Sequence, residues 1–192
     1  RHTVNVSPTL DNIPKQTVVE DSLEQTIALG GVTPGGIEVQ QLRVTASSSK
    51  PELIEDPTVV YTSAETTGEL KFTPRADQDG TATITVTVED GGLDNNLDTL
   101  EGNGTFSRTF QVDVTPVNDV PVITVLGETS LAIEGLRGGN YSDAGASAWD
   151  VEDGDLTNDV SVSGDLVNLG KRDTYIVRYD VQDSAELAAA QQ

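Results

Sequence analysis

Cysteine is absent from the 192 residues, and histidine occurs once, at His2. Without cysteine there can be no disulfide framework of the kind small extracellular animal domains use, and a structural zinc site loses its usual ligand. One histidine and no thiol leave transition-metal chemistry almost without donors. Cysteine-free exported proteins are common in bacteria, so export stays compatible with the composition, and a stabiliser other than disulfides is expected. Aromatic residues make up only 4% of the chain. A core must then be built from Val, Ile, Leu and Thr, the side chains that fit a pleated sheet. No apolar run approaches the roughly 20 residues that span a bilayer. The opening Arg1-His2-Thr3-Val4 alternates at once and shows no apolar leader, which reads as a mature or excised segment.

Basic residues are also scarce. Eleven Lys and Arg stand against 32 Asp and Glu, for a formal charge of -21. Such a surface repels nucleic acid and anionic membrane, which removes both as partners. The acid excess is either a solvated coat suited to a salty medium or a set of oxygen ligands for a hard divalent cation. The placement of the acids decides between these.

What is present is a succession of strand patterns. Residues 81–88 read Thr-Ala-Thr-Ile-Thr-Val-Thr-Val, with Ala82, Ile84, Val86 and Val88 on one face and threonines on the other. A single threonine ridge of this kind is a solvent face. Residues 105–114 place Phe106, Phe110, Val112 and Val114 inward. Further strands are expected at 18–19, 25–29, 41–46, 58–62 and 69–73, separated by turn residues such as Gly30-Gly31, Pro34-Gly35-Gly36, Asp79-Gly80, Gly91-Gly92 and Asn103-Gly104. Short strands with regular turns predict an all-β sandwich. Two prolines bracket Asn118-Asp119 in the segment Thr115-Pro116-Val117-Asn118-Asp119-Val120-Pro121, and proline ends a ladder. The domain boundary is placed there, giving one sandwich over 8–119 and a second over 120–192. Strands of the second are expected at 122–125, 131–133, 160–163 and 174–181, with Tyr175, Val177, Tyr179 and Val181 on one side. Only the last residues have a helical composition.

Several stretches match known families. Val19-Glu20-Asp21-Ser22, Leu70-Lys71-Phe72-Thr73-Pro74-Arg75-Ala76-Asp77, residues 80–90 and the closing Val114-Thr115-Pro116-Val117-Asn118-Asp119 resemble a bacterial cadherin-like tandem repeat over 8–119. Tyr141-Ser142-Asp143-Ala144-Gly145-Ala146, Asp150-Val151-Glu152-Asp153-Gly154-Asp155-Leu156 and residues 179–185 resemble a bacterial immunoglobulin-like surface-protein domain over 122–192. The resemblance implies repetition, export to the extracellular cell surface, and adhesion or spacing. Fold alone fixes no function.

A strand rises about 3.3 Å per residue, so residues 81–88 carry the chain from one pole of a sandwich to the other. Asp77 and Asp79 precede this strand, while Glu89 and Asp90 follow it at the opposite pole. Residues 105–114 run back and deliver Asn118 and Asp119 to the pole of Asp77 and Asp79. The cadherin resemblance adds Glu20 there, as the first-strand glutamate that faces the next domain. In the second domain Asp150, Asp153 and Asp155 are spaced like oxygen ligands around Gly154, and Asp183 takes the position equivalent to Asp90. About six to eight oxygens at one junction is a calcium-sized count. Each residue alone also suits a turn or cap, so convergence carries the expectation of calcium at the junction. The linker departs from the animal cadherin pattern, and Asp77 is followed by Gln78, not by an Arg-Glu pair.

The relatives of the second domain continue into one more strand, which residues 183–192 do not supply. Residues 1–7 form a lone alternating strand ahead of the first domain. Read from end to start, Gln191-Gln192 followed by Arg1-His2-Thr3-Val4-Asn5-Val6 supplies that final strand. Either the chain is one period of a tandem repeat, or copies join head-to-tail by donating a strand to an incomplete sandwich. A trimmed or disordered strand is the plain alternative. In either of the first two cases Asp11 and Asp90 would lie at a second junction, upstream of the first domain.

Catalysis has little to work with, since there is no phosphate loop, no thiol and no acid pair in a cleft, so the chain is read as not an enzyme. The reading from another class is a carbohydrate- or protein-binding module, for which Trp149 is the large candidate; it is either a junction packing residue or a sugar platform. Lys50, Lys71 and Lys171 mark no isopeptide pair, and the sequons at Asn5, Asn103 and Asn140 leave glycosylation open.

Overall fold

Alternation with a period of two fixes the first set of elements. The computed structural model describes residues 4–37, 39–99, 102–134 and 139–192. In chain order the strands are β1 (Gln16–Val19), β2 (Gln25–Leu29), β3 (Leu42–Ser48), β4 (Thr58–Val60), β5 (Gly68–Phe72), β6 (Gly80–Asp90) and β7 (Thr105–Thr115). They form two sheets, one ordered β1-β7-β6-β3 and the other β2-β5-β4. β6 pairs antiparallel with β3 on one side and β7 on the other, while β1 runs parallel to β7, Gln16 opposite Val112 and Val19 opposite Thr115.

The core of this unit follows from the pattern. Ala82, Ile84, Val86 and Val88 are fully buried, and Val112, Val114 and Phe110 continue the layer on β7. Ile27 and Leu29 from β2 and Leu70 and Phe72 from β5 cover them from the second sheet. Their alternation partners face water, as in the run Thr105, Ser107 and Thr109 on β7. The Lys15 ammonium meets the Asp113 carboxylate, tying the entry of β1 to β7.

The chain divides into two compact units, Arg1–Val117 and Asn118–Gln192, which part inside the proline-bracketed segment. The second unit holds β8 (Val122–Val125), β9 (Ala146–Asp150), β10 (Gly154–Asp155), a 3-10 turn at Thr157–Asp159, β11 (Ser161–Gly164) and β12 (Val177–Asp180). One sheet is ordered β10-β9-β8 and the other pairs β11 with β12. Ile123 and Ala148 from the first sheet meet Tyr179 and Val181 from the second. Among the described residues no helix is long and apolar enough to cross a membrane.

Four expectations need correction. Residues 131–133 form no strand; Leu131 is 60% exposed, and three alternating residues give too few ladder bonds to hold a strand without a buried face. The strand expected over 174–181 is confined to Val177–Asp180. Ahead of it, the Ile176 N–H bonds the Asp165 carboxylate at 2.8 Å and its carbonyl accepts from the Asp165 N–H at 2.7 Å, which converts the stretch into a turn closure. Tyr175 is accordingly half-buried, its hydroxyl donating to the Asn168 carbonyl at 3.1 Å. The alanine-rich tail is not helical. Tyr179 and Gln192 exchange backbone bonds of 3.1 and 3.4 Å, and the Ala189 N–H donates to the Val181 carbonyl at 3.0 Å. Residues 187–192 thus return along β12, paired through an isolated bridge between Gln182 and Ala188 and not as a regular strand. Fourth, residues 4–7 form no strand; residues 1–3 of that expected strand, with His2, lie outside the described residues.

Two outcomes follow from this packing. Replacing Ile84 with Ala should cost about 2–5 kcal/mol by leaving a cavity. Thr109→Ala, on the exposed face of the neighbouring strand, should stay within about 0.5 kcal/mol; denaturant unfolding of both variants measures the contrast. In the second unit, burial, reinforced by the Asp143 carboxylate that accepts the Tyr179 hydroxyl at 2.5 Å, pushes that hydroxyl up to about 12. The neutral form is favoured in the folded state, so this contribution to stability is full below about 10, the unfolded value, and is lost as pH rises through about 12. Ultraviolet titration of the four tyrosines should show Tyr179 ionising late, with Tyr61 raised as well by burial and by Glu65, and Asp143→Asn should bring Tyr179 down alone.

Candidate functional site

β6 is eleven residues long, so at about 3.3 Å per residue its ends stand roughly 30 Å apart. Its register separates the acids of the first unit into two groups. Gly80 lies opposite Val114 and Val19 opposite Thr115. This brings Asp77, Asp79, Glu20 and the exit of β7 to one end. Glu20 is buried, at 3% exposure, and its Oε1 accepts the Val117 N–H at 2.7 Å. The Asp77 N–H donates to the Asp21 carboxylate at 3.3 Å, and both residues have positive φ, 55° and 58°. Asp79 is exposed. Asp21, which the sequence reading passed over, is therefore part of this end; its place directly after Glu20 was the available signal.

The opposite end is organised by Asp90, the last residue of β6 and fully buried. Its Oδ1 accepts the side-chain amide of Asn5 at 2.8 Å and the backbone N–H groups of Gly92 at 3.0 Å and Gly104 at 2.7 Å. Its Oδ2 is buried and accepts no hydrogen bond. Asn103 is alike in this respect: its amide donates to Glu89 at 3.1 Å, and its buried Oδ1 accepts nothing. Burial alone would raise Glu89, but the bonds from Arg43 and Asn103 and the Arg43 charge hold it below its ordinary value. A side chain at Gly104 would place its Cβ 2.6 Å from Asp90 Oδ2, so glycine is required for the carboxylate to fit. Asp11 does not join this group. Its carboxylate lies against Gly31, where φ is +64° and an added Cβ would fall 2.3 Å from Asp11 Oδ1.

The second unit repeats the arrangement. Asp150 ends β9, is 1% exposed, and its Oδ1 accepts the N–H groups of Glu152 at 3.0 Å and Asp153 at 2.9 Å. Its Oδ2 is buried without a partner, as in Asp90. Asp153 binds Ser184 through both oxygens, to the N–H at 2.6 Å and the hydroxyl at 2.9 Å. The Asp119 N–H donates to Glu152 at 3.2 Å, and the Asn118 amide donates to Asp183 at 2.7 Å. Burial would raise Asp183, but Asn118 and the N–H groups of Leu187 and Ala185 outweigh it and hold it below the usual carboxylate value. Asn118, Asp119, Asp150, Asp153 and Asp183 are thus joined, with Glu152 as an unforeseen member. Asp155 departs from them: it stands exposed on β10 and accepts the Thr157 N–H at 3.0 Å.

The same device serves both units. An asparagine at the start of the unit, Asn5 or Asn118, clamps an aspartate at the end of a core strand or just past it, Asp90 on β6 or Asp183 after β12. Position alone could not reveal this, because the partners lie 85 and 65 residues apart. The orphaned buried oxygens, those of Asp90 and Asn103 in the first unit and that of Asp150 in the second, are hard donors of the kind that fits calcium and suits zinc poorly. Trp149, 61% exposed, is an outward residue of β9.

Residues 123–192 match the family described as bacterial surface protein, Ig-like domain. No curated protein matches the sequence. Among solved structures, the surface layer protein SbsC, domains 1-6, is 17% identical with a TM-score of 0.37, covering 99% of this chain and 25% of its own. The protocadherin gammaB7 EC3-6 cis-dimer is 17% identical with a TM-score of 0.46, over 96% of this chain and 49% of its own. The protocadherin GammaB4 extracellular domain is 15% identical with a TM-score of 0.44, over 96% and 31%. The chain therefore spans a quarter to a half of the length of these structures. It is an all-β chain whose residues 123–192 match the Ig-like domain family of bacterial surface proteins.

Proposed function

We propose that the chain is a structural or adhesive repeat of a bacterial extracellular surface protein or fibre, with calcium held by the acids at the ends of its units. The observation that carries this reading is the pair of buried carboxylates, Asp90 and Asp150, each with one oxygen tied by backbone N–H groups and the other without a partner. A buried charge left unpaired is costly, and a hard cation removes that cost. Asp119, Glu152, Asp153 and Asp183 would complete a set with Asp150 and Asn118; Glu20, Asp21, Asp77 and Asp79 supply acids at the exit of the first unit. Calcium would neutralise carboxylates that otherwise repel, and so stiffen the connection at Val117 and Asn118. The partners are copies of the chain, or adjacent repeats, continuing head to tail by a strand that passes from one to the next. The backbone bonds by which the tail pairs along β12 support this.

The melting temperature in excess calcium and in chelator tests the cation. A native-state ligand at about a hundred times its Kd adds about 2.7 kcal/mol, so the melt should rise by several degrees. Asp150→Asn and Asp90→Asn should each remove part of that rise. Identical melts with and without calcium would sink the calcium reading. Strand passage has its own measurement. Analytical ultracentrifugation should show concentration-dependent head-to-tail association that deletion of residues 1–7 abolishes; a monomer at every concentration would leave tandem repetition as the only route.

A further inference from the structure

The outward face of the β10-β9-β8 sheet has a composition that the spacer role does not use. The register places Asp155, Trp149 and Val122 in one row across the three strands, and Ser147 opposite Thr124 in the row beside it. Directly opposed residues share a face, and so do residues two apart along a strand. Trp149 is 61% exposed and Val122 64% exposed; Asp155 and Thr124 are exposed as well. The indole reaches over Gly154, whose missing side chain leaves a would-be Cβ 3.9 Å from the ring edge. Asp155 is held in place by its bond from the Thr157 N–H at 3.0 Å, and Thr157 is itself anchored to β9, its hydroxyl oxygen accepting the Ala148 N–H at 3.2 Å.

We propose that this face binds an uncharged, hydroxyl-rich sugar ring, with the ring's C–H face on the Trp149 indole and its hydroxyls on Asp155. The chemistry on the face selects that occupant. An apolar protein surface or a lipid covering Trp149 would also cover Asp155 and bury a charged carboxylate whose protein donor is the Thr157 N–H, leaving its second oxygen unmatched. A second copy of the chain brings another -21, and an anionic polymer is repelled for the same reason. A sugar ring has an apolar C–H face for the flat aromatic and hydroxyl donors for an acceptor-only carboxylate. Ser147 and Thr124 offer hydroxyls that both donate and accept beside it. The site lies wholly in the second unit and does not depend on calcium.

Trp149 is the only tryptophan in the chain, so intrinsic fluorescence reports on this face alone. The full chain is titrated with cellohexaose, mannohexaose and oligogalacturonate in chelator, with affinity electrophoresis in gels containing the corresponding polysaccharides for the variants. At least one neutral oligosaccharide should shift the Trp149 emission to the blue and saturate, and the anionic one should not. Trp149→Ala should abolish retardation in the gel. Asp155→Asn, which keeps an acceptor for Thr157, should weaken binding by about five- to tenfold, as a charge-assisted hydrogen bond becomes a neutral one. No change in emission with either neutral sugar up to about 10 mM, an affinity worth less than about 3 kcal/mol, would overturn the proposal. So would retardation that survives in Trp149→Ala, or an emission shift that follows protein concentration in place of sugar, which would assign the face to self-association.

Discussion

The register of β6 governs the first unit. A one-residue slip against β3 or β7 would turn Ala82, Ile84, Val86 and Val88 to water and bring Thr81, Thr83, Thr85 and Thr87 into the core, because side chains alternate strictly along a strand. That exchange of four apolar for four hydroxyl-bearing residues is large against a domain's net stability of about 5–15 kcal/mol. One pairing is therefore strongly preferred, and it fixes more than the core. It sets Gly80 at one end and Asp90 at the other, and so decides which acids can meet and which never do.

The second unit works with less. Among the described residues its buried apolar group is Ile123, Ala148, Tyr179 and Val181, against eighteen buried residues in the first. Polar ties fill the shortfall. Tyr179 bonds Asp143, Asp153 bonds Ser184, Asn118 bonds Asp183, and Glu152 receives the Asp119 N–H. The acid excess thus has an architectural side as well as a solvating one: many carboxylates accept backbone or amide N–H groups at strand ends, where the ladder leaves donors unused.

How legible this was depends on the residue. Strands with a buried alternating face, β2 and β6 to β8, stood out because periodicity is a local property. β9 did not, since Ala-Ser-Ala-Trp-Asp has small and polar residues whose strand character comes from pairing with β8. Residues 131–133 failed in the opposite sense, with the alternation present and no buried face to use it. For the acids, strand direction was enough to part Asp77 and Asp79 from Asp90; Glu20 joined them through the cadherin resemblance, and Asp150 joined Asp153 through their spacing around Gly154. The clamps by Asn5 and Asn118 were invisible, as was the separation of Asp155 and Asp11 from the others, because a side chain's direction at a turn depends on contacts far along the chain.

The parallel pairing of β1 with β7 has a consequence for load. The chain enters β1 at Gln16 and leaves β7 at Thr115, and these lie at opposite ends of the paired stretch. Tension on the two ends of the first unit pulls the strands past one another in shear, so the bonds between 16–19 and 112–115 strain together and do not open one at a time. The Lys15–Asp113 pair sits at the entry to that stretch, where a slip would first have to begin. An antiparallel hairpin at the same place would peel open bond by bond under a fraction of the force.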